Sequence, residues 1–456
     1  MPATDHDVAI VGASAAGCAA ATLLARRGLS VALVERSPDP AAYKTVCTHY
    51  IQASATPAIR RLGLADRIEA AGAVRNSIDL WTRYGWVRHP GEGELPHGYS
   101  IRRERLDPIV RELAAETPGV ETMLGQRATG VVQRDGRIRG VRVAGRDGDE
   151  RELRARLVVA ADGRTSKLAE LAGVATRSWP NRRTTYWAYF RGLPMRTPGR
   201  AQLWFLDPQV AYAFPNDDDL TLIAFWGMQR DREEFRADPD HAIRSHFAEL
   251  PDAPRLADGE QVSRWLGKVD MPNLRRATVH RGMALVGDAA QASDPVWGVG
   301  LGWAFQSAEW LAESVGPALA GGGDLDEGLK AYRSRHRREL AAHHLLISDY
   351  SRGRGFRAAE KLIFAAGARD PVVARKMHLF AGRVLGVHEA LSPATLARAA
   401  LVLARGGGSG GSTDAGRSAG SAPHPAEAEP GGATAPPGPP PGGAGPTRAA
   451  GSASPR

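Results

Sequence analysis

Asp7-Val8-Ala9-Ile10-Val11-Gly12-Ala13-Ser14-Ala15-Ala16-Gly17 runs from a continuous apolar stretch straight into a glycine turn and an alanine-rich segment. Four apolar residues in a row after Asp7, without alternation, read as a strand covered on both faces. Ala15 to Arg27 reads as a helix, and Leu29 to Glu35 (LSVALVE) as a second buried strand, so the unit is β-α-β. Gly12 makes the tight turn, and Gly17 lets the helix pack closely on the sheet. The helix then offers free N–H groups and the positive end of its dipole to a pyrophosphate. Glu35 ends the second strand some twenty residues after Gly12, where a carboxylate reaches ribose hydroxyls. Ser14 stands in place of the second glycine, where backbone approaches phosphate most closely. Glycine at a helix start also serves packing alone, but strand, helix and acid in register favour dinucleotide binding.

Two further strand ends carry acids. Leu157-Val158-Val159-Ala160-Ala161-Asp162-Gly163-Arg164-Thr165-Ser166 delivers an Asp-Gly pair into a polar turn before the helix Lys167–Ala172. Taken alone, Asp162 is better read as a cap of that turn. Met283-Ala284-Leu285-Val286-Gly287-Asp288-Ala289-Ala290 delivers Gly-Asp, and Asp294-Pro295-Val296-Trp297-Gly298-Val299-Gly300-Leu301-Gly302 leads into a helix at Trp303–Ala320. Asp288 is placed to accept from a polyol, and the glycine loop to face an electron-rich ring system; turn glycines and a cap are the plainer alternative.

In this order the three motifs resemble the FAD-dependent monooxygenase superfamily of aromatic hydroxylases, whose trio flavin halogenases and geranylgeranyl reductases share. The resemblance covers most of residues 5–345. It implies that Gly12, Ala13, Ser14, Ala15, Ala16 and Gly17 hold the FAD pyrophosphate, with Glu35 and Arg36 framing the adenosine ribose. Arg103 matches the arginine of the family's R-x-x-L/F-D helix start (RERLD here), which contacts the phosphates or ribityl chain. Ala128 falls near the strand whose backbone touches adenine, and Asp162 is implicated in FAD and NAD(P)H contacts. Gly287 and Asp288 correspond to the ribityl-binding pair, and Pro295, Gly298, Gly300 and Leu301 to the loop lining the isoalloxazine. Gln291 replaces the His that follows GDAA in aromatic hydroxylases, and Gly302 or Trp303 stands where they carry Asn. The spacing D-P-x-x-G-x-G-x-x-x-A, ending at Ala304, is closer to the reductase and halogenase form, although the halogenase W-x-W-x-I-P is absent.

The fold class that follows is α/β: a Rossmann-type FAD-binding domain interleaved with an antiparallel-sheet substrate domain, then C-terminal helices. Four strand-like stretches lie between Val120 and Ala160, and Asp107–Glu116 reads as helical. Alternating aromatic and polar residues from Thr184 to Gly227 (TTYWAYFRG, QLWFL, VAYAFP, LTLIAFWG) predict an antiparallel sheet with one half-buried face. Its aromatics would wall an apolar pocket over the flavin, while half of them form core by the period-two rule. The expected parts are 1–180 and 276–320 for FAD, 181–275 for substrate, 321–405 helical and 406–456 a disordered tail. The tail is Gly-, Ser- and Pro-rich and cannot bury enough apolar surface to offset its ordering.

The composition narrows the function classes. The net charge is +9 with 59 basic residues, nearly all arginine and scattered, the densest cluster being the short Arg333–Arg338. No nucleic-acid motif accompanies them, so solvated faces are the better reading and no nucleic-acid partner is expected. Two cysteines, Cys18 and Cys47, make no disulfide framework, and no metal site is expected. The first residues lack a basic n-region and a long apolar run, so the expectation is a cytoplasmic protein without a membrane span.

A flavin supplies the redox chemistry, so the expected activity is oxygenation: NAD(P)H reduces FAD transiently, and O₂ is used to hydroxylate or epoxidise a small apolar or aromatic substrate. A geranylgeranyl reductase-like enzyme or a halogenase is the alternative, and a non-catalytic FAD-binding protein a more distant one. In relatives, the segment Lys44 to Tyr50 (KTVCTHY) lies in a loop that reaches the flavin. Cys47 and His49 are the candidate acid, base or thiol there, against the plainer reading of an inert Cys and a satisfied His.

Overall fold

The computed structural model describes residues 4–90 and 93–407. The tail expected from Gly406 lies outside them, apart from its first two residues, which close the last helix.

Strand β1 (Thr4–Val11), helix α1 (Ala15–Ala25) and strand β2 (Val31–Glu35) form the β-α-β unit. β1 lies between β2 and the strand Glu150–Ala160 and is parallel to both, with Val8 opposite Val31 and Leu157. Val120–Leu124 extends the sheet beyond β2, and Met283–Leu285 extends it beyond Glu150–Ala160. Five parallel strands result, and all three acid-bearing strand ends emerge at their carboxyl edge. That edge is where an open α/β sheet binds ligands. The outer half of Glu150–Ala160 instead pairs antiparallel with Arg137–Ala144, which forms a hairpin with Arg127–Arg134.

The second sheet runs in the order 260–261, 183–191, 220–228, 210–215, 201–205, 78–82, 85–87. It departs from expectation in two ways. Every residue of Leu220–Met228 is buried, so the sheet has no half-exposed face. Its alternation survives but sorts two cores instead of core from solvent. Trp204, Ala213, Ile223 and Phe225 pack under the helices Arg232–Ala237 and Pro239–Ala248 through Phe235, Ile243 and Phe247. Phe205, Tyr212, Phe214, Ala224 and Trp226 face the C-terminal helices. The sheet also recruits Ile78–Thr82, parallel to Ala201–Phe205, so it draws on more than residues 181–275.

Two helices start earlier than read. Arg103–Glu116 begins four residues before Asp107, and Gly300–Gly321 begins directly beyond the left-handed Gly298 (φ +59°). Between 36 and 102 the structure also has a small sheet of Tyr50–Ile51, Gly98–Ser100 and Val74–Asn76. The chain continues through Leu325–Tyr350, Ala358–Gly367, Pro371–Ala381 and Pro393–Gly407, all helical.

Candidate active site

At Gly12 and Gly17 of the β1–α1 junction the backbone leaves no room for a side chain. A Cβ on Gly12 (φ +106°) would stand 2.5 Å from the Ala161 carbonyl oxygen, and one on Gly17 only 1.8 Å from that of Gly12. Ser14 occupies the N-cap of α1 but does not cap it, and the first turn holds no acid. Its hydroxyl instead accepts from Arg103 Nη2 at 2.7 Å. The opening N–H groups of α1 therefore stay available, with a buried cation beside them. Glu35 reaches back to the same turn, one carboxylate oxygen accepting from Ala13 N and the other from Ser37 N, both at 2.9 Å. Each oxygen keeps a lone pair for a further donor. Arg36 is exposed beyond it, and Ala128 is half-buried in the outer hairpin opposite Val143.

Arg103 organises the next layer. Its guanidinium is buried and forks onto Asp107, with Nε to Oδ1 and Nη2 to Oδ2 both at 2.8 Å. Asp107 also accepts from Lys44 N at 3.0 Å, and Lys44 Nζ bonds Asp288 at 3.0 Å. Burial opposes ionisation of Asp288, but Lys44 and Arg164, with Arg103 beyond, hold its carboxyl below the usual range. Asp288 is thus a carboxylate at neutral pH, beside Gly287 (φ +55°) and the start of the Gly300 helix. Asp162 is engaged locally: Ser166 Oγ (2.6 Å) and Leu168 N (2.8 Å) take both its oxygens, which is the capping role.

The two candidate catalytic residues share the loop before Tyr50. His49 is buried in a left-handed conformation (φ +59°), its Nδ1 accepting from Arg103 N at 3.0 Å. Its Nε2 therefore carries the proton and donates to the Tyr189 hydroxyl. Burial first, then Arg103 and Arg102, push its pKa down to about 3, so the ring is neutral. Cys47 Sγ accepts from His49 N at 3.3 Å and lies 4.0 Å from Arg103 Nη1. Cys18 is plain core, its thiol pushed up to about 12 by burial. Tyr189 appeared in the sequence only as one aromatic of the sheet; no motif marks the hydroxyl that ends this chain of bonds.

The loop 294–298 faces the second sheet. Asp294 is fully buried, accepts from Val296 N at 3.1 Å and faces Arg183 of the sheet at 3.3 Å. Burial raises its pKa against the pull of Arg183. Beside the loop opens a cavity of about 930 Å³, mouth included, between the sheet and the C-terminal helices. Its walls are almost wholly apolar: Leu203, Phe205 and Phe214 of the sheet, Trp297 and Gly298 of the loop, Ile363, Phe364 and Met377 of the helices. Gln52 Nε2 ties the two sides together, donating to Trp297 O (2.7 Å) and Ala381 O (3.3 Å). Of the sheet aromatics, Phe205, Tyr212 and Phe214 line this cavity, whereas Tyr186, Trp204 and Phe225 lie on the opposite face.

The sequence model of the FAD binding domain family matches residues 5–345, three quarters of the chain. The chain belongs to the FAD binding domain family. It is a flavoprotein of the superfamily that holds monooxygenases, halogenases and geranylgeranyl reductases. Among similar proteins is the digeranylgeranylglycerophospholipid reductase of Methanothrix thermoacetophila, 28% identical over 75% of this chain and 87% of that one. The protoasukamycin 4-monooxygenase of Streptomyces nodosus subsp. asukaensis is 27% identical over 70% and 81%. The fold is that of the flavin-dependent brominase Bmp2, with a TM-score of 0.71 at 20% identity over 88% of this chain and all of that one. The uncapped α1, the tight Gly12–Gly17 turn and the anchored Glu35 fit the pyrophosphate and ribose of FAD. Among the described residues no helix is long and apolar enough to cross a membrane.

Proposed function

We propose that this flavoprotein is a monooxygenase that uses NAD(P)H and O₂ to hydroxylate or epoxidise an elongated, largely apolar substrate. The observation that carries the reading is the apolar cavity ending on the Trp297–Gly298 loop. Bound FAD supplies the redox chemistry; the protein supplies orientation, exclusion of water and substrate choice. Gly12–Gly17 would hold the pyrophosphate, Glu35 and Arg36 the ribose, and Ala128 the adenine edge. Arg103, Gly287 and Asp288 would serve the phosphates and ribityl chain, and Pro295, Gly298, Gly300 and Leu301 the ring system, while Asp162 would shape the turn beside them. The cavity walls then keep water from the reacting face, while dioxygen, small and apolar, needs no side chain to bind it.

The lining also favours oxygenation over reduction of a double bond. A reductase must place a proton donor at the substrate carbon; Lys376 and Thr395 of the lining bond each other (2.7 Å), which leaves chiefly the phenols of Tyr50 and Tyr212. Burial pushes both pKa values up. The reductase reading rests on Cys47 and on the Tyr189 hydroxyl that His49 holds, were the substrate to reach past Tyr50. Incubation with ¹⁸O₂ and NADPH separates the two. Product carrying one ¹⁸O atom, with one O₂ used per NADPH, fits the monooxygenase; product gaining two hydrogens and no ¹⁸O overturns it.

A further inference from the structure

We infer that Arg383 is a carboxylate anchor, so that the substrate is an apolar molecule bearing one carboxylate near the flavin loop. The inference rests on the cavity being the substrate site and goes beyond it by naming the group the cavity recognises.

Arg383 follows the helix Pro371–Ala381 in a left-handed conformation (φ +61°), its side chain only 9% exposed. The guanidinium sits directly behind the cavity wall, 5.4 Å from the Trp297 ring and 5.3 Å from the Phe380 ring, both of which line the cavity, so a ligand reaches it by displacing one of these rings. It also interacts electrostatically with the phenols of Tyr50 and Tyr212, which line the same cavity. Burial lowers its pKa to about 10 against those phenols, so it is charged at neutral pH. Its one hydrogen bond runs from Nη1 to His343 Nδ1 at 2.8 Å. His343 is neutral, because burial and then Arg383 push it down to about 3.

What is missing is an acceptor. Among the described residues no carboxylate pairs with Arg383, and its Nε and Nη2 are buried without a partner. A buried cation with idle donors is costly, whereas a buried charge that is paired is the rule. The idle pair is also a specific one. Nε–H and Nη2–H form the side edge of the guanidinium, the fork that meets both oxygens of a carboxylate at once. Tyr212 Oη and Trp297 Nε1 are likewise buried without partners. Against these stands one idle acceptor on the lining, Gln52 Oε1; a planar two-oxygen anion is the ligand that uses the Arg383 fork in full. A halide, a single-point acceptor, would leave half of it idle. Contacts with two rings and the His343 bond restrict the guanidinium, so little ordering is left for binding.

Calorimetric titration of the FAD-loaded protein with decanoate and with decan-1-ol tests this without turnover. The wild type is expected to bind decanoate at least about tenfold more tightly, as a charge-assisted pair implies. Arg383→Met should abolish that preference while keeping decanol affinity and flavin content, and Arg383→Lys, which lacks the fork, should recover only part of it. Equal affinity of the wild type for the two ligands overturns the inference, and this comparison needs no variant. An unchanged preference in Arg383→Met, loss of flavin from it, or bromide binding more tightly than decanoate also overturns it. Binding of neither ligand would overturn the reading of the cavity itself; decanol binding with no carboxylate preference removes only the anchor.

Discussion

The cofactor edge of the parallel sheet and the cavity beside it are built by different means. At the β1–α1 junction the geometry is made of backbone: two glycines, a strand end and an uncapped helix start, all within seventeen residues of sequence. The cavity is made of side chains from a sheet, a loop and four helices spread from Tyr50 to Thr395. Backbone sites tolerate no added atom, whereas side-chain sites tolerate exchange at nearly constant volume. The first is therefore shared across a superfamily, and the second is free to set the substrate.

The largest effect should follow from Gly17→Val. With a Cβ due at 1.8 Å from the Gly12 carbonyl oxygen, α1 must leave the sheet, and the purified protein should carry no flavin absorbance. A yellow, stably folded variant would break the contrast at its root. Acid should act next, through buried histidines that line no part of the cavity. Burial holds His49, His336 and His343 down to about 3 and His344 to about 4, and the last three all lie on Leu325–Tyr350. Unfolded histidines titrate near 6.5, so below that pH the unfolded chain takes up protons the folded one refuses. Stability should then fall as pH falls towards 4, by about 1.4 kcal/mol per pH unit for each histidine, and be unaffected by these groups above pH 7. Chemical denaturation at pH 7 and pH 5 measures it; equal free energies would show the histidines to be protonated in place.

Asp288→Ala should cost a charge-assisted contact of about 1.5–3 kcal/mol and weaken FAD binding roughly ten- to a hundred-fold. Fluorescence titration of the apoprotein reads this, and wild-type affinity would mean that Asp288 serves only Lys44. The smallest change in cofactor binding should come from Leu203→Trp, which fills the cavity from the sheet. FAD affinity should stay within about twofold, since one decade takes 1.4 kcal/mol. KM for an elongated substrate should rise clearly. A variant that loses FAD instead would show that cavity and cofactor edge are not separable.

The same contrast explains what could be read from the sequence. Gly12, Glu35, Asp162 and Asp288 announced themselves because each sits at a strand end, and Gly17 because it opens the helix that follows, where chain direction and residue type together leave few alternatives. Cys47 and His49 were reachable only through their place in a loop, and their partners Arg103 and Tyr189 lie 54 and 140 residues from His49. The half-buried face expected for the second sheet failed for a related reason. Alternation records that a strand has two different faces, but not whether the second one meets water or another core. Here helices cover both, as the fully buried Leu220–Met228 shows. Arg383 had no signal at all, being one arginine among many until its neighbours are known.

The strand order of the parallel sheet also bears on how the chain is born. β1 is made well before its neighbour Glu150–Ala160 and the outer strand Met283–Leu285. At a synthesis rate of about 5–20 residues per second, the sheet stays open for roughly 14 to 55 s after β1 is made. Until Leu285 leaves the ribosome, the apolar edge of Leu157–Ala160 has nothing to pair with on that side, and a newborn chain is a natural client for a chaperone at that stage.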